Sequence, residues 1–169
     1  ALLMPSLVAA FYACGEDRIR LAGTRDALVL ALRAVGEGFQ ALQALGYPVT
    51  PQELGIFAWA PEPLLVAIFG RRLRHPLVEV GLAKHAGAAR DEIRLLADEF
   101  IALARPSRLP TPAIDRLYAY FDPATPRLPE GSAEIPLDWR AVWSGLAVAG
   151  ALVAVVALGW RLGGRRKVT

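Results

Sequence analysis

Few residues in this chain have a type and spacing that could do chemistry. His75 and His85 have no ligand partner at i+4, so the zinc-binding pattern is missing and no metal is expected. Cys14, the one cysteine, sits in Phe-Tyr-Ala-Cys-Gly, the surroundings of a small buried side chain rather than of a reactive thiolate. Gly36-Glu37-Gly38 lies inside a helical pattern, not after a strand, and is no phosphate cradle. Arg71-Arg72-Leu73-Arg74-His75 lacks interleaved aromatics and reads as a solvated helix end. Asp91 and Glu92 fall in the first turn of a helix, where the dipole favours carboxylates. No Ser/His/Asp or Cys/His set is present, so the chemistry must be sought in how the elements combine.

Those elements read as helices almost throughout, which predicts an all-α, multi-helix bundle. Residues 2–14 are apolar and stop at Gly15. The chain opens without an initiator Met or a basic region ahead of this run, so the run reads as an internal helix of a longer protein. Thr24 is placed to cap a helix that ends at Gly46, with Pro48 beyond. Along it Leu28, Leu32, Val35, Phe39, Leu42 and Leu45 recur at three and four to make one apolar face. Thr50-Pro51-Gln52-Glu53 has the form of a capping box with proline at the first helical position. A proline-bounded helix follows to about residue 75. Another spans about 89–104, with Ile93, Leu96, Phe100 and Leu103 facing inward and Asp91, Asp98 and Glu99 outward. Thr111-Pro112 then starts a short helix ending at Phe121.

The remainder changes character. Residues 122–138 are proline-rich and read as a semi-extended linker. From 141 to 160 no residue is charged, and a helix of that length spans roughly 30 Å, the thickness of a bilayer core. Trp139, Trp143 and Trp160 flank the run, and a basic tail over 162–169 closes it. The division expected is therefore a helical domain over 1–121, a linker over 122–138, a single transmembrane helix over 139–161 and the tail. The small residues Gly145, Ala149 and Gly150 allow close helix approach, compatible with a homodimer. The net charge of +3 comes from Arg161 and this tail, which together hold four of the 19 basic residues and no acid. A basic pI of that origin is no argument for nucleic acid, and no nucleic-acid partner is expected.

One longer stretch carries a resemblance. Asp91-Glu92-Ile93-Arg94, then Leu109-Pro110-Thr111-Pro112, then Leu117-Tyr118 resembles the end of the C-terminal domain of ketopantoate reductases (2-dehydropantoate 2-reductases). In that family a T-E-I-D motif precedes a G-V-x-T-P step and a helix with a Leu-Tyr pair. Glu37 with the following Ala-Leu-Gln-Ala-Leu-Gly-Tyr-Pro is similar to the family's E-x-x-x-(small)-x-x-x-G helix, and the likeness spans roughly residues 1–121. It implies a helical domain that completes the substrate cleft of an NADPH-dependent reductase of a small 2-oxo acid. NADPH would be held by a Rossmann domain that this chain does not contain.

The resemblance also assigns site residues and marks departures. Glu92 matches the family's acidic site residue, and Asp91 stands in the threonine slot beside it. The lysine and asparagines of the family's K-x-x-x-N-x-x-x-N helix fall on Ala1, Pro5 and Ala9; a shift of one puts Ser6 in an asparagine slot. A lysine there would give the developing alkoxide a proton and a charge, which alanine and proline cannot. The substrate-binding expectation is thus Glu92, Asp91 and Ser6, with the catalytic residues unassigned. The other expectation is a catalytically degenerate, membrane-tethered binding or dimerisation module. Charge beside the span puts the tail in the cytoplasm, whereas the lone cysteine and dependence on NADPH put the helical domain there. The expectation adopted is a single-pass membrane protein with a cytoplasmic domain and the lipid bilayer as partner.

Overall fold

A computed structural model describes the backbone of residues 3–75 and 90–165, and their side chains except at 3, 4, 58 and 155–165. Among the described residues every regular element is helical. They are α1 (Leu3–Ala13), α2 (Arg18–Gly23), α3 (Arg25–Ala44), α4 (Ile56–Trp59), α5 (Glu62–Leu73), α6 (Arg90–Ala104), α7 (Pro112–Tyr118) and α8 (Arg140–Arg165). The all-α expectation holds. His85 lies outside the described residues, as do Ala1 and the last residues of the tail.

The long helix α3 is the centre. The chain wraps it with α1 and α7 on one side and α2 and α5 on the other, and α6 packs on α1 beside α7. The expected stripe is only part of what α3 buries, and its last members, Leu42 and Leu45, are half-buried. Leu28, Leu32, Val35 and Phe39 are buried, but so are Ala27, Val29, Leu30, Ala31 and Ala34, because neighbours stand on both sides. Small alanines let those neighbours approach, and the core closes on Val8, Phe11, Leu21 and Leu117. The helix ends at Gly46 (φ +82°), where Tyr47 N donates to the Leu42 carbonyl (2.9 Å) and Gly46 N to that of Gln43 (3.0 Å). Glycine adopts that left-handed backbone without a Cβ clash.

Three local expectations are corrected. Thr24 stands at the N-cap of α3 but does not cap it with its side chain. Its hydroxyl donates back to the Arg20 carbonyl (2.8 Å) and accepts from Gly131 N (3.2 Å). The capping box at 50–53 does not form: the turn is a 3₁₀ helix over Gln52–Gly55 whose cap position is Pro51, one residue too late for Thr50. On α6 the inward stripe is Ile93, Ala97 and Ala104 with Phe100 half-buried, while Leu96 and Leu103 are exposed. The small Ala97 lies against α1, and a leucine would not fit as closely; the bulkier stripe therefore faces out.

The proline-rich segment 122–138 is extended, but it is a strap along the body rather than a free spacer. Leu128 is buried, its N–H donating to the Ala13 carbonyl and its carbonyl accepting from Arg20, both at 2.9 Å. Arg127 lies over Gly15 (φ +74°), where a Cβ would come within 2.7 Å of its guanidinium. Ser132 accepts the Asp26 amide through its carbonyl (3.1 Å). In return the Asp26 carboxylate accepts the amides of Glu134 (3.0 Å) and Ile135 (2.8 Å).

After the strap, α8 begins at Arg140 and leaves the body. From Trp143 through Ala154 its side chains are all exposed, among them Trp143 at 66% and Val153 at 69%. Among the described residues no helix is long and apolar enough to cross a membrane. In α8 the described side chains stop at Ala154, inside the uncharged run that the sequence carries to residue 160.

Candidate functional site

The residues singled out from the sequence do not share one cleft. Asp91 and Glu92 are exposed on the first turn of α6. Ser6, on α1, is buried at 7% exposure and faces Ala97, Phe100 and Ile101 in the middle of α6. The beginning of α6 meets the other end of α1: the Arg90 guanidinium stacks 3.7 Å from the Tyr12 ring centroid and pairs with Glu16 at 2.5 Å. Six residues along α1 separate Tyr12 from Ser6, about 9 Å of helix. The carboxylates and the serine thus sit at different levels of an antiparallel helix pair, one set in water and the other in the core.

Glu37, the residue that carried the upstream part of the resemblance, is used differently. It projects from α3 to the start of α7, where both carboxylate oxygens accept Ala113 N and one also accepts Ile114 N, all at 3.0 Å. Thr111 makes no side-chain cap there, so Glu37 satisfies amides that the Thr-Pro step leaves open. Burial pushes its pKa above the usual carboxylate value, and the two amides only partly offset that.

Beside Glu37 opens a polar cleft of about 570 Å³ between α3, α4–α5 and the root of α8. Arg33 crosses it. It forms a two-pronged pair with Glu62 (2.8 and 2.9 Å) and donates to the Pro136 carbonyl (2.7 Å). Glu62 also accepts Asp138 N (2.8 Å), and Asp138 pairs with Arg140 at 2.6 Å. Hydrogen bonds from the Arg140 side chain and amide pull the Asp138 carboxyl down to about 2. Trp59, 70% exposed, stands on the same wall. The charges are spent on one another and on backbone groups. That arrangement fastens α5, the strap and α8 together, and it supplies neither a nucleophile nor a free proton donor.

The remaining reactive types are placed as the sequence reading expected or lie outside the description. Cys14 is fully buried and burial pushes its thiol to about 11, too high for a thiolate at neutral pH. His75 is exposed at the end of α5 among Arg71, Arg72 and Arg74. Among the described residues no group of His, Cys, Asp and Glu could hold a metal ion. Asp26, Arg33, Glu62 and Trp59, which organise the strap and the cleft, were not singled out from the sequence. The partners of Asp26, Arg33 and Glu62 stand 29 to 109 residues away, so no local pattern in the sequence announces them. No protein-family model matches the chain, and no curated protein or solved structure is similar to it.

Proposed function

We propose that this chain is the helical half of a ketopantoate-reductase-like oxidoreductase, reducing a small 2-oxo acid with NADPH held by a domain outside these residues, and that α8 anchors it in a membrane. The observation that carries the reading is the Glu37 bridge. The two stretches with the resemblance, the Glu37 helix and the Thr111-Pro112 step, lie 76 residues apart and meet in three amide-carboxylate hydrogen bonds. They therefore form one structural unit, as parts of a common domain would. Asp91 and Glu92, exposed on α6, remain available to accept hydrogen bonds from a substrate hydroxyl. The anchor is supported by the uncharged run of α8 and by its outward-facing Trp, Leu and Val side chains.

A second reading, a catalytically degenerate membrane-tethered module, is favoured by one observation: the slot residue Ser6 is buried and removed from Glu92. One experiment separates the two. The protein, with whatever its gene encodes ahead of Ala1, is assayed for NADPH oxidation with 2-dehydropantoate, alone and as Glu92→Gln. The oxidoreductase reading expects turnover that falls in the variant while the melting temperature is unchanged. Absence of turnover selects the module. The anchor is tested apart from both, by flotation of the intact protein with vesicles and by its release on removal of residues 139–169.

A further inference from the structure

We infer that the domain does not hang clear of the bilayer but stands on it, with Trp59 and the outer stripe of α5 seated among the lipid headgroups. This rests on the anchor reading above and goes beyond it.

The first observation is which way α5 faces. Leu65, Gly70 and Leu73 are buried, and Gly70 is pressed so close to α2 that a Cβ would stand 3.2 Å from the Ala22 carbonyl oxygen. That contact fixes the rotation of the helix. The face left outside is Leu64, Ala67, Ile68, Arg71 and Arg72, all exposed, at spacings of three and four. A helix facing water carries polar residues there. This one is apolar for two turns and then basic, the composition of a helix lying in a lipid interface.

The second observation is where the stripe begins. Trp59 ends α4, with Ala60 and Pro61 leading from it into α5, and it lines the same cleft as Arg140 and Ala141, the first residues of α8. The indole is therefore close to the root of the proposed span, a root whose own tryptophans, Trp139 and Trp143, are exposed. Indole rings prefer that depth, with the ring among acyl chains and the N–H in the wet headgroup layer.

The third observation is stiffness. Glu62, in the first turn of α5, holds Arg33 and the Asp138 amide together. The strap leading to α8 is bonded to α3 through Asp26. No slack separates the body from the helix root, so a membrane at α8 lies against whatever surrounds that root. Arg71 and Arg72 suit an anionic headgroup layer.

The test uses the whole chain in vesicles of phosphatidylcholine and phosphatidylglycerol, with Trp59 as the sole tryptophan (Trp139→Phe, Trp143→Phe, Trp160→Phe). A companion keeps Trp160 alone. Brominated lipid should cut Trp59 emission by roughly half, and acrylamide should lose access to it relative to detergent-free controls without lipid. Trp160 quenched by bromine while Trp59 stays open to acrylamide overturns the inference and leaves the anchor standing. If neither is quenched, the anchor fails and the inference with it. Shielding of Trp59 that rises with protein concentration in detergent and ignores bromine assigns the stripe to a second copy, and also overturns it. Should the triple variant not fold, Trp59→Cys carrying a polarity-sensitive dye gives the same readout, since the buried Cys14 stays unlabelled. Arg71→Glu with Arg72→Glu should remove the dependence of that signal on phosphatidylglycerol.

Discussion

The core around α3 and the strap over 122–138 are held by different physics. In the core, Phe11, Leu21, Val29 and Leu117 are fully buried, and burial of apolar area does the work without regard to direction. In the strap Leu128 is buried in the core and Ile135 packs against it; the segment is otherwise fastened by side chains capturing backbone groups, Asp26 on two amides, Arg20 on a carbonyl, Glu62 on another amide. Proline suits such a segment, since it costs little to extend and has no amide to satisfy. A core of this kind tolerates many apolar residues at each place. A strap of this kind depends on a few acids, each of which serves several partners.

The largest effect separating the two should follow from Phe11→Ala. Removing a ring with no exposed surface leaves a cavity and should cost about 3–5 kcal/mol in urea unfolding, with strap and core lost together. Retention of most of the stability would mean that α1 is not part of the core described.

Asp26→Ala should cost less, about 1–3 kcal/mol, because it orphans the amides of Glu134 and Ile135 while leaving the apolar core intact. Its second signature is local. Limited proteolysis should cut within 122–138 in the variant well before it cuts α3, a split that Phe11→Ala should not show.

The smallest effect is one of pH, and the buried Asp26 and half-buried Glu37 should move oppositely. Burial would raise the Asp26 pKa, but the amides of Ile135 and Glu134 outweigh it and the carboxyl lies below its ordinary value. A depressed pKa means stability present above the unfolded value near 3.9 and lost as pH falls through the folded one. The stability gap between the native protein and Asp26→Asn should therefore narrow below about pH 4. Glu37 has a raised pKa, so its contribution is full below about 4.3 and is lost as pH rises through its folded value. The gap to Glu37→Gln should narrow in that direction instead. Parallel gaps for both variants across the acid range would contradict the assignment.

The same contrast explains what could be read from the sequence. Most helix positions, the stop at Gly46 and the burial of Cys14 follow from neighbours within a turn or two and were legible, though the short α2 was not among the helices read. The inward face of α6 was not, because a periodic stripe of large residues outranks small Ala97 and Ala104 until the packing partner is known. Nor was the docking of the strap, since nothing near Asp26 in the chain announces that its partners are Glu134 and Ile135. Of the candidate site, the exposure of Asp91 and Glu92 suits their place in a first turn. The separation of Ser6 from them depends on the antiparallel run of α1 against α6, which no local pattern encodes.

The central claim is that the strap is part of the folded body and fixes the root of α8. Hydrogen exchange of the strap amides measures it directly. In the native protein the amides of Leu128, Gly131, Glu134, Ile135 and Asp138 should be protected and should open with the free energy of the core, and in Asp26→Ala those of Glu134 and Ile135 should exchange fastest. Exchange of the native strap at the rate of an unfolded chain, while α3 stays protected, would make it a free tether and contradict the account.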